Sequence, residues 1–256
     1  RERYDRELLK TAYWQSETIM YFKRSKRWFP LIEKILKEQG LPEDLKYVAV
    51  IESGLTNVVS PVGATGFWQL MPNTAKEYDM EIREEVDDRY DVEKSTYAAC
   101  KYFKAAYKRF KNWTSVAASY NMGMGGLNSR MREQQVKNYY DLLLNTETSR
   151  YVFRILAYKA IFSNPRYYGY DPDDIDAYPP YNTYDVKIDS SIVNLMDYAK
   201  EKGSNYKILK TLNPWLRENR LTVKGGKTYT FKFPKSGIYQ YAELISSPQD
   251  SLGNVD

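Results

Sequence analysis

One acidic residue ends an apolar helical segment, at a position where a carboxyl group can act as an acid. Four residues fall at positions i, i+3, i+4 and i+7 of a helix predicted over 42–53: Leu45, Val48, Ala49 and Glu52. Glu52 is therefore expected on the apolar stripe of this helix. Burial disfavours the charged form of a carboxyl group and raises its pKa. A general acid that works near neutral pH needs a raised pKa, so Glu52 is the candidate catalytic acid.

The absence of histidine removes most alternatives to a catalytic carboxyl group. It excludes Ser-His-Asp triads, Cys-His dyads and His-based zinc sites together. The single cysteine, Cys100, lies in an apolar helical segment and is predicted to be a buried core residue rather than a nucleophile. Asp87, Asp88 and Asp91 could form a metal site, but acidic caps of a helix explain them with fewer assumptions. The sequence predicts no cofactor and no metal.

The composition is that of a globular chain. With 256 residues and 43% hydrophobic residues, the chain can form one large domain or a larger and a smaller one. No apolar run approaches the roughly 20 residues that cross a bilayer, so no membrane span is predicted. The net charge of +5 is spread along the chain and predicts no nucleic-acid partner. The densest basic cluster, residues 23–27, is interpreted as a solvated helix end.

Helical periodicity extends to about residue 165, and the character of the sequence then changes. Helices are predicted over 3–23, 29–39, 42–53, 92–110, 113–121 and 147–163. Residues 166–183 are rich in Tyr, Asp and Pro and are interpreted as a linker after a domain spanning 1–165. The order strand, helix, helix, strand predicts a small α+β domain over 184–247, followed by a loose tail over 248–256. The predicted fold class is mainly α with a small α+β domain.

An isolated buried acid fits acid-assisted cleavage of a glycosidic bond. Most glycosidases use a pair of carboxylates, but the acids nearest downstream, Glu77, Asp79 and Glu81, lie in a charged segment and are predicted to be surface residues. Phe67 and Trp68 follow the loop after Glu52 and leave two interpretations open. They could stack on a sugar ring or pack in the core.

Four motifs in order carry a family resemblance over about residues 25–165. They are Glu52-Ser53, the segment from Ser60 to Pro72 that contains Gly66-Phe67-Trp68-Gln69, Ala118-Ser119-Tyr120-Asn121-Met122-Gly123, and Glu147-Thr148-Ser149-Arg150-Tyr151-Val152. With these motifs the chain resembles the family 1 lytic transglycosylases, in particular their membrane-bound murein transglycosylase D type. The resemblance implies a lysozyme-like helical catalytic domain. Two departures are Ser119, where alanine is usual, and a loop from Glu52 to Ser60 that is one residue shorter than the common spacing.

The resemblance implies a reaction that needs one carboxyl group only. Glu52 would protonate the glycosidic oxygen between MurNAc and GlcNAc and then, as a carboxylate, take the proton of the MurNAc C6 hydroxyl. That hydroxyl attacks the anomeric carbon and leaves a 1,6-anhydroMurNAc end. The implied partner is the peptidoglycan glycan strand, and the implied location is the periplasm or cell envelope, although no signal sequence is visible in this chain. A goose-type lysozyme-like hydrolase and a non-catalytic peptidoglycan-binding scaffold are the alternatives.

The resemblance also assigns residues around the acid. Tyr120 and Tyr151 would hydrogen-bond near Glu52 or the bound sugar and help to hold the acid. The implied substrate-binding set is Ser53, Ser60, Gln69, Met71, Tyr120, Asn121 and Tyr151. For Ser53, capping of the helix end is an equal alternative to a substrate role.

The C-terminal part resembles a LysM peptidoglycan-binding module. Its strand-helix-helix-strand order and the segment Leu212-Asn213-Pro214 before the last strand carry this resemblance. The usual Gly-Asp-Thr-Leu turn is replaced by Asp189-Ser190-Ser191-Ile192. Glycan binding and simple packing against the catalytic domain are both open for this part.

Overall fold

The structure, a computed structural model, describes residues 1–235, which are mostly helical. The α-helices are α1 Glu2–Tyr13, α2 Gln15–Glu38, α3 Lys46–Ser53, α4 Pro72–Glu77, α5 Val92–Phe110, α6 Trp113–Met122, α7 Met124–Glu133, α8 Thr146–Ser163, α9 Leu195–Glu201 and α10 Tyr206–Leu212. The two strands are β1 Thr183–Ile188 and β2 Tyr229–Pro234. Short 3-10 helices cover Glu43–Leu45, Asp88–Tyr90, Tyr139–Asp141 and Pro165–Tyr168. Across residues 1–235, every helix is too short or too polar to cross a membrane.

The chain divides into two compact units. The first comprises Arg1–Ile82 and Asp88–Pro179, and the second comprises Arg83–Asp87 and the described residues 180–235. No sequence pattern indicated that residues 83–87 group with the second unit. The predicted limits of domains and linker stay a prediction, and the tail predicted over 248–256 lies outside the described residues.

The core of the first unit surrounds α3. Val48, Ala49 and Val50 of this helix are fully buried. The fully buried Trp68 donates its indole N–H to Thr96 Oγ1 at 2.9 Å, which satisfies its one polar group. A closely packed core of this kind fixes the end of α3, where Glu52 lies.

The N-terminal helices differ from the prediction. Trp14, with φ −83° and ψ 62°, leaves the helical region and separates α1 from α2. α2 then continues to Glu38, so the boundaries predicted at 23 and 29 are wrong. The basic segment 23–27 lies inside α2, where Ser25 is buried and Arg24 donates to the Gly54 carbonyl oxygen at 3.0 Å. These tertiary contacts keep the segment helical although its polar composition resembles a helix end.

The predictions for Cys100 and, among the three acids predicted as caps, for Asp91 are confirmed at α5. Cys100 is 1% exposed, and burial raises the pKa of its thiol to about 12, so the cysteine is a core residue. Asp91 caps the helix, since its side chain accepts the Lys94 backbone N–H at 3.0 Å. Asp88 accepts the Glu81 N–H at 2.9 Å and binds Lys94 Nζ at 2.7 Å. Within the described part of the chain, no group of three or more Asp, Glu, His or Cys side chains could hold a metal.

The second unit has the predicted order strand, helix, helix, strand. β1 and β2 pair antiparallel, with Thr183 opposite Pro234 and Ile188 opposite Tyr229. The fully buried Asn213 joins α10 to β2. Its Nδ2 lies 2.9 Å from the carbonyl oxygens of residues 209 and 232, and its Oδ1 accepts the backbone N–H of residue 232 at 2.7 Å. The predicted fold class, mainly α with a small α+β part, is confirmed.

Glu85 holds the segment 83–87 within the second unit. Its side chain is 8% exposed and accepts hydrogen bonds from Arg83, from Arg220 Nε at 2.9 Å and from the Thr222 backbone N–H at 2.7 Å. Burial raises the pKa of Glu85, but these hydrogen bonds outweigh it and lower the pKa to about 2. The charged form is therefore strongly favoured in the folded unit.

Replacing Glu85 with Gln is expected to destabilise the second unit. Loss of the buried charge leaves Arg83 and Arg220 without their shared partner, which costs about 2 kcal/mol at pH 7. Because the folded pKa lies below the ordinary value of 4.5, this stabilisation is complete above pH 4.5 and is lost as the pH falls towards 2. Urea denaturation across this range measures it. E84Q is the matched control, since the Glu84 side chain is 72% exposed, and an equal effect of E84Q and E85Q would contradict the account.

Candidate active site

Glu52 lies in the last turn of α3, and the local sequence fixes where that helix ends. Gly54 adopts φ +58° and ψ 33°, and its N–H donates to the Val50 carbonyl oxygen at 2.9 Å. A Cβ atom at this position would lie 2.4 Å from Cε1 of Tyr21. Glycine therefore supplies both the left-handed turn and the space that Tyr21 occupies. Glu52 itself is partly buried.

The environment of Glu52 raises its proton affinity. The Tyr151 hydroxyl donates a hydrogen bond to Glu52 Oε1 at 2.5 Å. Burial raises the pKa of Glu52 from 4.5 to about 7, although the Tyr151 hydrogen bond and the positive charge of Arg154 lower it, and the negative charge of Glu147 adds to the rise. Near neutral pH the group is thus present as both acid and carboxylate, which suits a residue that first gives and then takes a proton.

The two motif tyrosines lie on different helices. Tyr151 of α8 is 1% exposed and touches Glu52 directly. Tyr120 of α6 is partly buried and donates its hydroxyl to the Trp68 carbonyl oxygen at 2.7 Å. Burial is the main cause that raises the pKa of both phenols, and the charge of Glu52 is the second. Both hydroxyls therefore stay protonated and act as hydrogen-bond donors.

Three of the candidate substrate-binding side chains hold the loop after Glu52. Ser53 Oγ lies 2.8 Å from the Phe67 carbonyl oxygen and 3.1 Å from that of Ala49. Ser60 Oγ accepts the backbone N–H of residue 64 at 3.0 Å, and Gln69 Nε2 lies 2.8 Å and 3.0 Å from the carbonyl oxygens of residues 66 and 58. Each of these three side chains therefore forms hydrogen bonds with the backbone of the loop.

Phe67 and Trp68 pack in the core. They are 3% and 0% exposed, and the Phe67 ring meets Trp28 edge to face with centroids 5.1 Å apart. Neither ring can present a face to a sugar, so the stacking interpretation is wrong. Met71, in contrast, is 41% exposed just before α4.

Arg89 is a loop-organising residue that sequence reasoning missed. It is 8% exposed, and its NH1 donates to the carbonyl oxygens of Gly63 at 2.9 Å and Leu70 at 3.2 Å. Gly66 has φ +82°, and a Cβ there would lie 2.0 Å from the Arg89 carbonyl oxygen. The glycines of the loop are visible in the sequence. Nothing in the sequence indicates that the backbone of Arg89, about twenty residues later, comes so close to Gly66 that only glycine fits there.

Asn121 connects the last two motifs. Its Nδ2 donates to Glu147 Oε1 at 3.2 Å, and its Oδ1 accepts the Thr148 hydroxyl at 2.8 Å. Thr148 is buried, whereas Glu147 is exposed. The contact therefore joins the C-terminal end of α6 to the first turn of α8, the helix that carries Tyr151.

Two segments of the chain match known families. Residues 29–143 match the Transglycosylase SLT domain family, and residues 184–237 match the Soluble lytic transglycosylase C-terminal LysM-like domain family. The predicted resemblances to both families are thus confirmed.

Individual relatives cover parts of the chain. The Membrane-bound lytic murein transglycosylase D of Escherichia coli (strain K12) is 27% identical over 218 residues, which are 83% of this chain and 47% of that protein. A putative tributyltin chloride resistance protein of Alteromonas sp. (strain M-1) is 33% identical over 110 residues, 42% of this chain and 53% of that protein. The chain spans about half the length of these curated relatives. Among solved structures, the 70 kDa soluble lytic transglycosylase of Escherichia coli is similar at 24% identity, with a TM-score of 0.45, over 58% of this chain and 25% of that one.

Proposed function

We propose that this chain, whose residues 29–143 match the Transglycosylase SLT domain family, is a peptidoglycan lytic transglycosylase with Glu52 as its catalytic residue. The observation that carries the proposal is the pairing of Glu52 with the buried Tyr151 hydroxyl, at a carboxyl group whose pKa lies near 7. Such a group can serve as acid and as base in one reaction cycle.

In the first step the protonated Glu52 gives its proton to the glycosidic oxygen between MurNAc and GlcNAc. The bond from the MurNAc anomeric carbon to that oxygen breaks, and the GlcNAc hydroxyl leaves. The substrate's own N-acetyl group stabilises the positive charge at the anomeric carbon, as in substrate-assisted glycosidases. Glu52 is left as a carboxylate that accepts the Tyr151 hydrogen bond.

In the second step the MurNAc C6 hydroxyl attacks the anomeric carbon, and its proton goes to the Glu52 carboxylate. The product has a 1,6-anhydroMurNAc end, and Glu52 is protonated again. Water is not consumed, so no second carboxylate is needed to activate it. This accounts for a site built around one acid.

The remaining motif residues are proposed to shape and line the sugar site. Asn121, held between Glu147 and Thr148, offers an amide to acetamido groups of the substrate. The exposed Met71 gives an apolar contact beside the loop. Five further residues act on the substrate indirectly, because they hold the loop or Glu52 in place: Ser53, Ser60, Gln69, Tyr120 and Tyr151.

The LysM-like part is proposed to bind glycan strands of the same polymer. Its family match supports this role, although the usual turn is replaced by Asp189-Ser190-Ser191-Ile192. In this turn Ser191 Oγ accepts the Val223 N–H at 2.9 Å. A substrate of this kind places the protein at the cell envelope, and in the periplasm of a two-membrane cell.

Digestion of purified sacculi tests the proposal. The wild-type protein is expected to release muropeptides with anhydro ends, identified by mass spectrometry, and E52Q is expected to release roughly a thousandfold fewer. A goose-type hydrolase would release reducing ends. A binding scaffold would sediment with sacculi and release nothing, with no difference between wild type and E52Q. Either of these two results contradicts the proposal.

A further inference from the structure

Arg154 lies beside the Glu52–Tyr151 pair and has no ion-pair partner among the described residues. It lies on α8 nearly one turn beyond Tyr151, with its guanidinium carbon 5.7 Å from the centroid of the Tyr151 ring. Its Nε is buried without a hydrogen-bond partner, and no described carboxylate forms an ion pair with it. Arg150, one turn earlier, shows the contrast, since it binds the buried Glu7 through Nε at 2.5 Å and NH2 at 3.2 Å.

Arg154 also lines a small polar cavity of the first unit. The cavity has a volume of about 130 Å³. Its lining includes Glu7, Glu17, Tyr21, Ile51 and Arg154. Glu7 is already neutralised by Arg150, and Glu17 accepts a hydrogen bond from the Tyr21 hydroxyl at 2.5 Å. Neither acid forms an ion pair with Arg154 in the part of the chain that the structure describes, so no direct partner competes with Glu52, the neighbour of Ile51, for the charge of Arg154.

Four titratable or charged groups act on Glu52 from the helices packed around it: Tyr120 of α6 and Glu147, Tyr151 and Arg154 of α8. Among these four, Arg154 alone is cationic. Burial is the largest effect and raises the pKa of Glu52. The Tyr151 hydrogen bond and the charge of Arg154 lower this pKa, and the charge of Glu147 raises it. A positive charge in a partly buried site acts over several ångströms because water screens it poorly.

We propose that Arg154 is a positioning residue for this reaction, which stabilises the carboxylate form of Glu52 and holds the Tyr151 ring against it. The inference rests on the proposed function and adds a residue to it. A single acid-base group fails if burial holds it permanently protonated, since it then cannot accept the C6 hydroxyl proton in the second step. Arg154 offsets part of the cost of burial and so keeps both protonation states accessible.

The test compares R154M, which removes the charge, with R154K, which keeps it. The Glu52 carboxyl group is titrated in the free protein by ¹³C NMR, and its resonance is identified by its loss in E52Q. R154M is expected to titrate about one pH unit higher than wild type, the size expected for one charge at several ångströms in a partly screened site, whereas R154K stays close to wild type. Anhydro-end release is expected to lose its activity at a correspondingly higher pH in R154M. If R154M does not fold, R154Q takes its place.

K159M is the matched control. Lys159 lies on the same helix, but its partly exposed side chain pairs with Asp44. An unchanged Glu52 titration in R154M, or an equal shift in K159M, overturns the inference. The NMR titration does not depend on turnover, so a wild-type protein that releases no anhydro ends would refute the proposed function while the titration still decides the role of Arg154.

Discussion

Replacing Glu52 with Gln is expected to reduce the release of anhydro-ended fragments from peptidoglycan by roughly a thousandfold or more. The amide has the size of the acid and can still accept the Tyr151 hydrogen bond, so the fold is expected to persist. It cannot donate a proton to the glycosidic oxygen or accept one from the C6 hydroxyl, and both steps are lost together. Product release per enzyme, measured by mass spectrometry of soluble muropeptides, reports the change.

E77Q is the matched control for this experiment. Glu77 is exposed at the end of α4, and its replacement removes one carboxylate from the first unit without touching the site. E77Q is expected to behave like wild type. Residual activity of E52Q within tenfold of wild type would show that another group supplies the proton.

Replacing Tyr151 with Phe is expected to slow product release by about 10- to 100-fold. A hydrogen bond to a charged group contributes about 1.5–3 kcal/mol, which corresponds to this range of rates. The Tyr151 hydroxyl stabilises the carboxylate and lowers the pKa of Glu52, so its loss raises that pKa above the wild-type value of about 7. Because the free protein must hold Glu52 protonated, activity declines as the pH rises through the Glu52 pKa. In Y151F this decline is expected at higher pH, with a lower maximum.

Y170F separates this effect from the general loss of a buried hydroxyl. Tyr170 is 4% exposed and donates to the Ala12 carbonyl oxygen at 2.6 Å, a contact in the first unit that does not involve Glu52. Y170F is expected to cost about 1 kcal/mol of stability and to leave the pH profile unchanged. If the pH profile of Y151F matched that of wild type, the Tyr151 hydroxyl would have no effect on Glu52 and the ring would serve only for packing.

The position of Glu52 could be predicted because it depends on local periodicity. The spacing of Leu45, Val48 and Ala49 placed the acid on the buried stripe, and the structure ends the helix at Gly54 two residues later. The motif order then located Tyr120 and Tyr151. Tyr120 contacts the Trp68 carbonyl and Tyr151 contacts Glu52. These contacts depend on how α6 and α8 pack, and the spacing of residues in the sequence does not predict them.

Other features depend on tertiary contacts that a single sequence hides. The basic segment 23–27 looked like a helix end, yet burial of Ser25 and the bond from Arg24 to residue 54 keep it helical. Glu85 appeared as one acid in a charged segment, although Arg83, Arg220 and Thr222 surround it in the second unit. In each case the deciding partner is distant in sequence, and hydrophobic periodicity carries no information about it.

Digestion of sacculi in H₂¹⁸O tests the central claim most directly. If the MurNAc C6 hydroxyl is the nucleophile, the new MurNAc ends are lighter by one water than hydrolysis products, and they contain no ¹⁸O. A hydrolase that activates water would instead leave reducing ends that carry ¹⁸O at the anomeric carbon. Mass spectrometry of the products at early times distinguishes the two. Unlabelled anhydro ends are the predicted result, and labelled reducing ends as the main product would contradict the account.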